Sequence, residues 1–532
     1  MKTFVLAMLI GSSVVGVAQS AANSYKFDGK QWWHYVNVLA DDKMDGRLTG
    51  SEGEKAAKAF LVEQAKADGL KPAGTDGFYQ PVALLESRVD ESHSYFELVN
   101  DGKPERLTLG DDVILGGRTD GGEVEAALVF VGYGLKIPEK NYDDLAGQDL
   151  KGKVAVMFSG SPAEMPTELA SHYQSGAERW KALKAAGVVG VIALPNMASM
   201  DIPWARIKGN RLQPSMRLAD LNETEGEKVG AFMNPASAEK LFAGSGHTFA
   251  EIAALGAKRR ALPHFALKVS LKANTAIERN NVESSNVVAK LEGADPNLKD
   301  EYVVLSAHID HLGEGEAVNG DKIFNGAMDN GAGSSMLLDL ARSLKEHPEK
   351  LKRSLLFVWV TGEEKGLLGS RYFALHPTVP AQEMVADINT DMFLPIIPMK
   401  VITAYGLKES DLGDDLEAAA KQWGIPVQPD PQPLRNIFIR SDQYSFVRVG
   451  VPAIMFDIGA DKDSADRKVL DQWLKERYHN LTDDTKQPVN LETAAKYEDV
   501  FRTLTVDVAD GNKKPEWKAD SFFKRFAAGG GQ

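Results

Sequence analysis

The stretch Val303-Val304-Leu305-Ser306-Ala307-His308-Ile309-Asp310-His311-Leu312-Gly313 constrains the fold more than any other part of the chain. Its first half is an apolar, β-branched run that reads as a buried strand, and the strand delivers a histidine and a carboxylate to its C-terminal end. In an open α/β sheet, that end is where ligands bind. Positions 308 and 310 share a face in extended chain, which suits a metal-ligating imidazole held by a carboxylate on its other nitrogen. A His-x-Asp pair alone is weak, because most such pairs are polar groups at strand ends. Its weight comes from what accompanies it.

The pattern around this strand is α/β. Ser354 to Thr361 is a continuous apolar strand, Met384 to Met392 another, and Val451 to Asp457 a further one. Helices are expected between them. One carries Met336, Leu337, Leu340, Ala341 and Leu344 on one face, one covers Asp411 to Trp423, and one runs from about Leu491 to Asp507. Alternation of this kind implies a mainly parallel sheet sandwiched between helices. Near the start, Trp32 to Leu39 and Ser51 to Ala67 read as helices, the second with apolar residues at Ala56, Ala59, Phe60 and Ala67. Between them, Arg47-Leu48-Thr49-Gly50-Ser51 reads as a loop leading to a helix N-cap.

Composition narrows the setting. The chain of 532 residues carries a net charge of −14, which disfavours nucleic acid and anionic membrane surfaces as partners. Met1 to about Ser24 has the form of a signal peptide: Lys2, an apolar run from Phe4 to Val17, then small residues. No later stretch approaches the ~20 apolar residues a spanning helix needs, so the expectation is an exported protein, periplasmic or secreted, with no membrane anchor after signal removal. Cysteine is absent, so any metal site must use His, Asp and Glu, which points to zinc or another divalent ion.

Four strand-end loops each offer such groups. The first gives His308 with Asp310, and the second gives Asp329 beside a glycine-rich helix start, where Gly331 and Gly333 let backbone pack closely. The third gives Glu363 and Glu364. Adjacent side chains diverge, so one can bind metal while the other faces the attacking water as general base. The fourth ends the strand Ala386-Asp387-Ile388-Asn389-Thr390-Asp391-Met392, whose parity puts Asp387, Asn389 and Asp391 on one face with Asp391 nearest the end. His479, in Tyr478-His479-Asn480-Leu481, completes the candidates. His311 reads as a strand-end packing residue, and Asp483 and Asp484 as a turn or as support. No Gly-x-Ser-x-Gly elbow and no cysteine are present, which disfavours serine and thiol nucleophiles.

Taken together these residues resemble the co-catalytic two-zinc aminopeptidase family, which includes bacterial secreted leucyl aminopeptidases and, more distantly, glutamate carboxypeptidase and transferrin receptor. The resemblance implies that Asp329 bridges two zinc ions, one completed by His308 and Asp391 and the other by Glu364 and His479. It implies Glu363 as general base, Asp310 as the group orienting His308, a cis peptide after Asp329, and peptides as substrates. A second resemblance, to the protease-associated domain, runs through Val131-Gly132-Tyr133-Gly134, Leu150-Lys151-Gly152-Lys153 and Ala182 to Ile192. The implied organisation is a signal peptide at 1–24, the N-terminal part of the peptidase domain at 25–118, a smaller β-rich protease-associated insert at 119–271, the zinc peptidase domain at 272–510 and a tail at 511–532. Relatives leave a carboxypeptidase, a glutaminyl cyclotransferase and a non-catalytic receptor-like binding protein as alternatives. A carboxypeptidase would want an arginine clamp, for which Arg435 and Arg440 are candidates.

Overall fold

The computed structural model describes residues 26–527 except 201 and 212. The expected signal peptide and the last five residues lie outside the described residues. Two large sheets organise the chain.

The first sheet is mixed rather than mainly parallel. Its centre runs Ser354–Val360, Tyr302–His308, Met384–Asn389 and Ala453–Gly459, each parallel to its neighbour, and every residue of the first three is buried. Strands covered on both faces need no hydrophobic alternation, which is why these segments read as unbroken apolar runs. The flanks are antiparallel. Ile277–Leu291 pairs with Ser354–Val360 on one side, and Val401–Tyr405 pairs with Ala453–Gly459 on the other.

Helices cover both faces. Lys30–Leu39 buries Trp32, Val36 and Leu39 against the Gly333–Glu346 helix, whose Met336, Leu337, Leu340, Ala341 and Leu344 stripe is buried as the spacing predicts. The indole of Trp32 donates to the carbonyl of Ala332 at 3.0 Å, and that of Trp359 to Ser334 at 3.1 Å, so two large core residues also hold the start of this helix. The Glu52–Ala67 helix begins with Ser51 Oγ accepting from Glu54 N at 3.2 Å, while Glu54 reaches back to Gly50 N at 2.7 Å. Its buried face is Ala57, Leu61, Val62 and Ala65, not the expected Ala56, Ala59 and Ala67, which are exposed. Alanine is equally at home on either face, so the stripe rests on Leu61 and Val62 instead.

The second sheet has eight strands and its own core around Phe96, Phe130, Phe158, Ile192 and Phe242. It differs in extent from the 119–271 segment. Tyr95–Asn100, Lys103–Arg106 and Val113–Leu115, placed by sequence with the N-terminal part of the peptidase, join this sheet, and His264–Thr275 extends it beyond 271. Conversely, Ser215–Leu218 leaves it to pair with Tyr79–Val89 at the edge of the first sheet. The partner of a short strand is set by nonlocal pairing, which local pattern does not encode.

Candidate metal centre

All the sequence-predicted site residues meet at the C-terminal ends of the parallel strands. His308 is the last residue of its strand, and its carbonyl accepts from Ser334 Oγ at 2.7 Å. Asp329 lies in a kinked turn leading into the Gly333–Glu346 helix, with the Asp329–Asn330 peptide cis. Asn330 ties that turn to the Asp391 loop: its Nδ2 donates to Thr390 O at 3.0 Å, and its Oδ1 accepts from Gly333 N and Met392 N at 2.8 and 3.1 Å. A Cβ on Gly333 would come within 2.5 Å of Thr390 O, so this approach requires glycine.

The geometry centres on the Asp329 carboxylate. Its Oδ1 lies 3.3 Å from His308 Nε2, which lies 3.1 Å from Asp391 Oδ1. Its Oδ2 lies 3.2 Å from His479 Nε2, which lies 3.1 Å from Glu364 Oε2. The two carboxylate oxygens thus face two separate donor sets. Ligand atoms on one tetrahedral zinc with bonds of about 2.0–2.1 Å stand roughly 3.3 Å apart, so both sets have suitable spacing. Asp329 Oδ2 is also buried without a hydrogen-bond partner. Such an atom in a site made only of imidazole and carboxylate donors fits a cation.

Electrostatics agree. Burial opposes a charge on His308, yet Asp391 and Glu363 raise it well above its ordinary range. Burial likewise works against His479, but Glu364 and Asp329 push it up to about 10. A field that favours positive charge at both imidazoles attracts metal cations to the same place. Glu363 and Glu364 diverge as adjacent side chains must. Burial lifts Glu363 well above the usual carboxylate range, whereas Glu364, despite burial, is held well below it by His479 and His311. Glu363 Oε2 stands 3.9 Å from His308 Nε2, near both donor sets but outside them.

Three supporting residues differ from the sequence reading. Asp310 does not bond the His308 ring through its carboxylate, which is 3.9 Å away. His308 Nδ1 faces the backbone carbonyl of Asp310 at 3.1 Å, and the carboxylate accepts from Glu363 N at 3.0 Å and Thr49 Oγ1 at 2.9 Å. It therefore fixes the Glu363–Glu364 loop. His311 is more than packing: its Nδ1 is 2.7 Å from Glu364 Oε1, and it falls in a possible metal-holding group with Asp329 and Glu364. Arg47, read as a loop residue, is fully buried and donates to four carbonyls: Ile309 at 2.8 Å, Leu39 at 2.5 Å, Asn325 at 2.6 Å and Gly326 at 2.8 Å.

Other expected supports are in place. Ser306 Oγ donates to Asp387 at 2.8 Å and lies 3.0 Å from Asn389, both beneath Asp391. Asp483 accepts from Met328 N and Asp329 N, each at 3.0 Å, holding the turn that presents Asp329. Arg435 and Arg440 line a small cavity of about 90 Å³ beside Asp391, with Met392, Leu394, Met455 and Ile458.

Two imidazoles and two carboxylates thus surround one shared aspartate. The model of Peptidase family M28 matches residues 286–505. Every donor named above lies inside that M28 segment. Over 223 residues the chain is 27% identical to Aminopeptidase Y of Saccharomyces cerevisiae, covering 38% of this chain and 35% of that protein. Over 211 residues it is 34% identical to the probable leucine aminopeptidase 2 of Arthroderma benhamiae, covering 36% and 37%. The chain thus spans about a third of the length of these curated relatives. The solved structure of an aminopeptidase from Aneurinibacillus sp. strain AM-1 shares the fold over 92% of this chain and 96% of its own, with a TM-score of 0.56 at 18% identity. That overlap takes in both sheets. Among the described residues no helix is long and apolar enough to cross a membrane.

Proposed function

We propose that this chain is an exported aminopeptidase that removes N-terminal residues from peptides with two zinc ions, the second sheet being its protease-associated unit. The observation that carries the reading is the Asp329 carboxylate, with one oxygen toward His308 and Asp391 and the other toward His479 and Glu364. Bound there, two zinc ions would polarise the scissile carbonyl and lower the pKa of the attacking water toward neutrality. Asp329 would bridge them, with His308 and Asp391 on one side and Glu364 and His479 on the other. Glu363, beside both donor sets but outside them, would take the proton from the attacking water at its carboxylate and return it to the leaving amine. Asp310 holds the Glu363 backbone, so the base keeps its place through both transfers. The small cavity beside Asp391, where Met392, Leu394, Met455 and Ile458 alternate with Arg435, Arg440 and Asp457, has room for one side chain, that of the N-terminal residue.

The test is mass analysis of the products from a free peptide and its N-acetylated twin, with and without a zinc chelator. Stepwise N-terminal loss from the free peptide alone, abolished by chelation, is expected. C-terminal trimming of both peptides would establish a carboxypeptidase instead, and cleavage of neither would overturn the peptidase reading.

A further inference from the structure

Sharing Arg440 and Tyr478 with the small cavity, a wider one of about 540 Å³ is bordered by Glu363 and Glu364 and lined by Arg118, Arg217, Arg371, Arg440 and Arg448. In a chain of net charge −14, such a concentration of guanidinium groups on one wall is not a consequence of composition. Arg118 comes from the loop between two strands of the second sheet, Arg217 from the Ser215–Leu218 strand at the edge of the first sheet, and the others from the segment matched by the family model.

Three carboxylates, Glu178, Glu223 and Glu227, face Arg118, Arg371 and Arg448. Glu223 accepts from Arg448 Nη2 at 2.9 Å and stands 3.7 Å from Arg371, and Glu178 is 3.8 Å from Arg448. The Nε of Arg371 is buried with no hydrogen-bond partner. Arg217 donates to a neutral group, the carbonyl of Leu218, at 3.1 Å. Arg118 lies against the Glu363–Glu364 loop itself: a Cβ on Gly366 would come within 2.6 Å of its Nη1. Its guanidinium thus lies beside Gly366, and Arg118 shares the lining of this cavity with Glu363 and Glu364.

We infer that this cavity binds a carboxylate of the peptide on the leaving side of the scissile bond, supplied by an acidic side chain or by the free C-terminus of a short peptide. The inference rests on the aminopeptidase reading for its direction. With the N-terminal residue in the small cavity beside Asp391, the remaining chain crosses Glu363 and Glu364 and enters the arginine-walled space. Planar guanidinium forks match carboxylate geometry, and several lining one cavity select for that charge. Acidic or very short peptides are the preferred substrates.

Two peptide pairs with a common N-terminal leucine test this on the zinc-loaded enzyme. Leu-Glu-Ala amide against Leu-Gln-Ala amide reads the side chain, and Leu-Ala against its amide reads the terminal carboxylate. The carboxylate member of at least one pair should have kcat/KM higher by about tenfold, and which pair responds identifies the source. The ratio should fall toward one at high salt and in Arg118→Gln and Arg371→Gln, and rise in Glu223→Gln, which removes the competing carboxylate. A purely structural role for these arginines would lower both members alike and leave the ratio unmoved. Calorimetric binding of the same peptides to zinc-loaded Glu363→Gln reads the preference without turnover. Equal binding and equal kcat/KM within both pairs, with the amides still cleaved, overturn the inference alone. Intact amides would instead count against the aminopeptidase reading, and the binding ratio would still judge the cavity. A ratio retained in both arginine variants also overturns it.

Discussion

Replacing Arg47 with lysine keeps the charge and removes the fork. The guanidinium spreads its donors over Ile309 O, Leu39 O, Asn325 O and Gly326 O, all within 2.8 Å, at a side chain with no exposed surface. A lysine ammonium has three donors on one atom and cannot reach four carbonyls arranged around a plane. At least one carbonyl, and by this spacing two, lose their partner where water does not enter. Each such loss costs about 1–3 kcal/mol, so Arg47→Lys should destabilise the protein by about 2–5 kcal/mol. Burial lowers the guanidinium to about 10 while Asp483, Asp329 and Asp310 oppose that shift, so it stays ionised at neutral pH, and the comparison isolates geometry from charge. The lost bonds matter for the site because Ile309 follows His308 and Gly326 begins the turn that presents Asp329. Urea denaturation of wild type and variant, each with saturating zinc and with chelator, measures the effect. A difference below about 0.5 kcal/mol in both states would refute the argument that Arg47 holds these walls together.

The same accounting yields three further expectations. Glu363→Gln should keep both zinc ions by elemental analysis and lose most of its turnover, whereas Glu364→Ala, which strips His311 and His479 of a partner, should lose one of the two; full activity in the first or full metal content in the second would count against these roles. Asp483→Asn should weaken zinc binding by about 10- to 100-fold in a chelator competition, because both oxygens of Asp483 accept from N–H groups and an amide must turn its NH2 toward one of them; unchanged affinity would show that the Ala327–Asp329 turn holds without it. Glu227 is pushed up to about 7 by burial and Asp120, above its ordinary 4.5, so the folded state holds a proton that the unfolded state releases. Stability should therefore fall as pH rises from about 4.5 to 7 and level off above it, and Glu227→Gln should remove that part of the slope; identical pH dependence in wild type and variant would reject the shift.

What was legible in the sequence follows from which constraints act locally. A strand buried on both faces must be apolar throughout, so Tyr302–His308 and Ser354–Val360 announce themselves, and a metal ligand must be one of few residue types at a strand end, so the donors can be found by chemistry. The edges obey no such rule. Tyr95–Asn100 and Val113–Leu115 are short and half buried, and only their partners, His264–Thr275 and Val229–Met233, decide that they belong to the second sheet. Arg47 escapes the same net for a different reason. It acts on backbone groups, which every residue offers, and its partners lie up to 279 residues away. No spacing can mark such a contact. What can mark it is charge balance: Asp310, Asp329 and Glu364 cluster in the core, and a cluster of that sign is stable only if metals and buried positive groups, here Lys58, Lys365 and Arg47, offset it. Arg47, in the segment between the first two helices, is the arginine placed for that task.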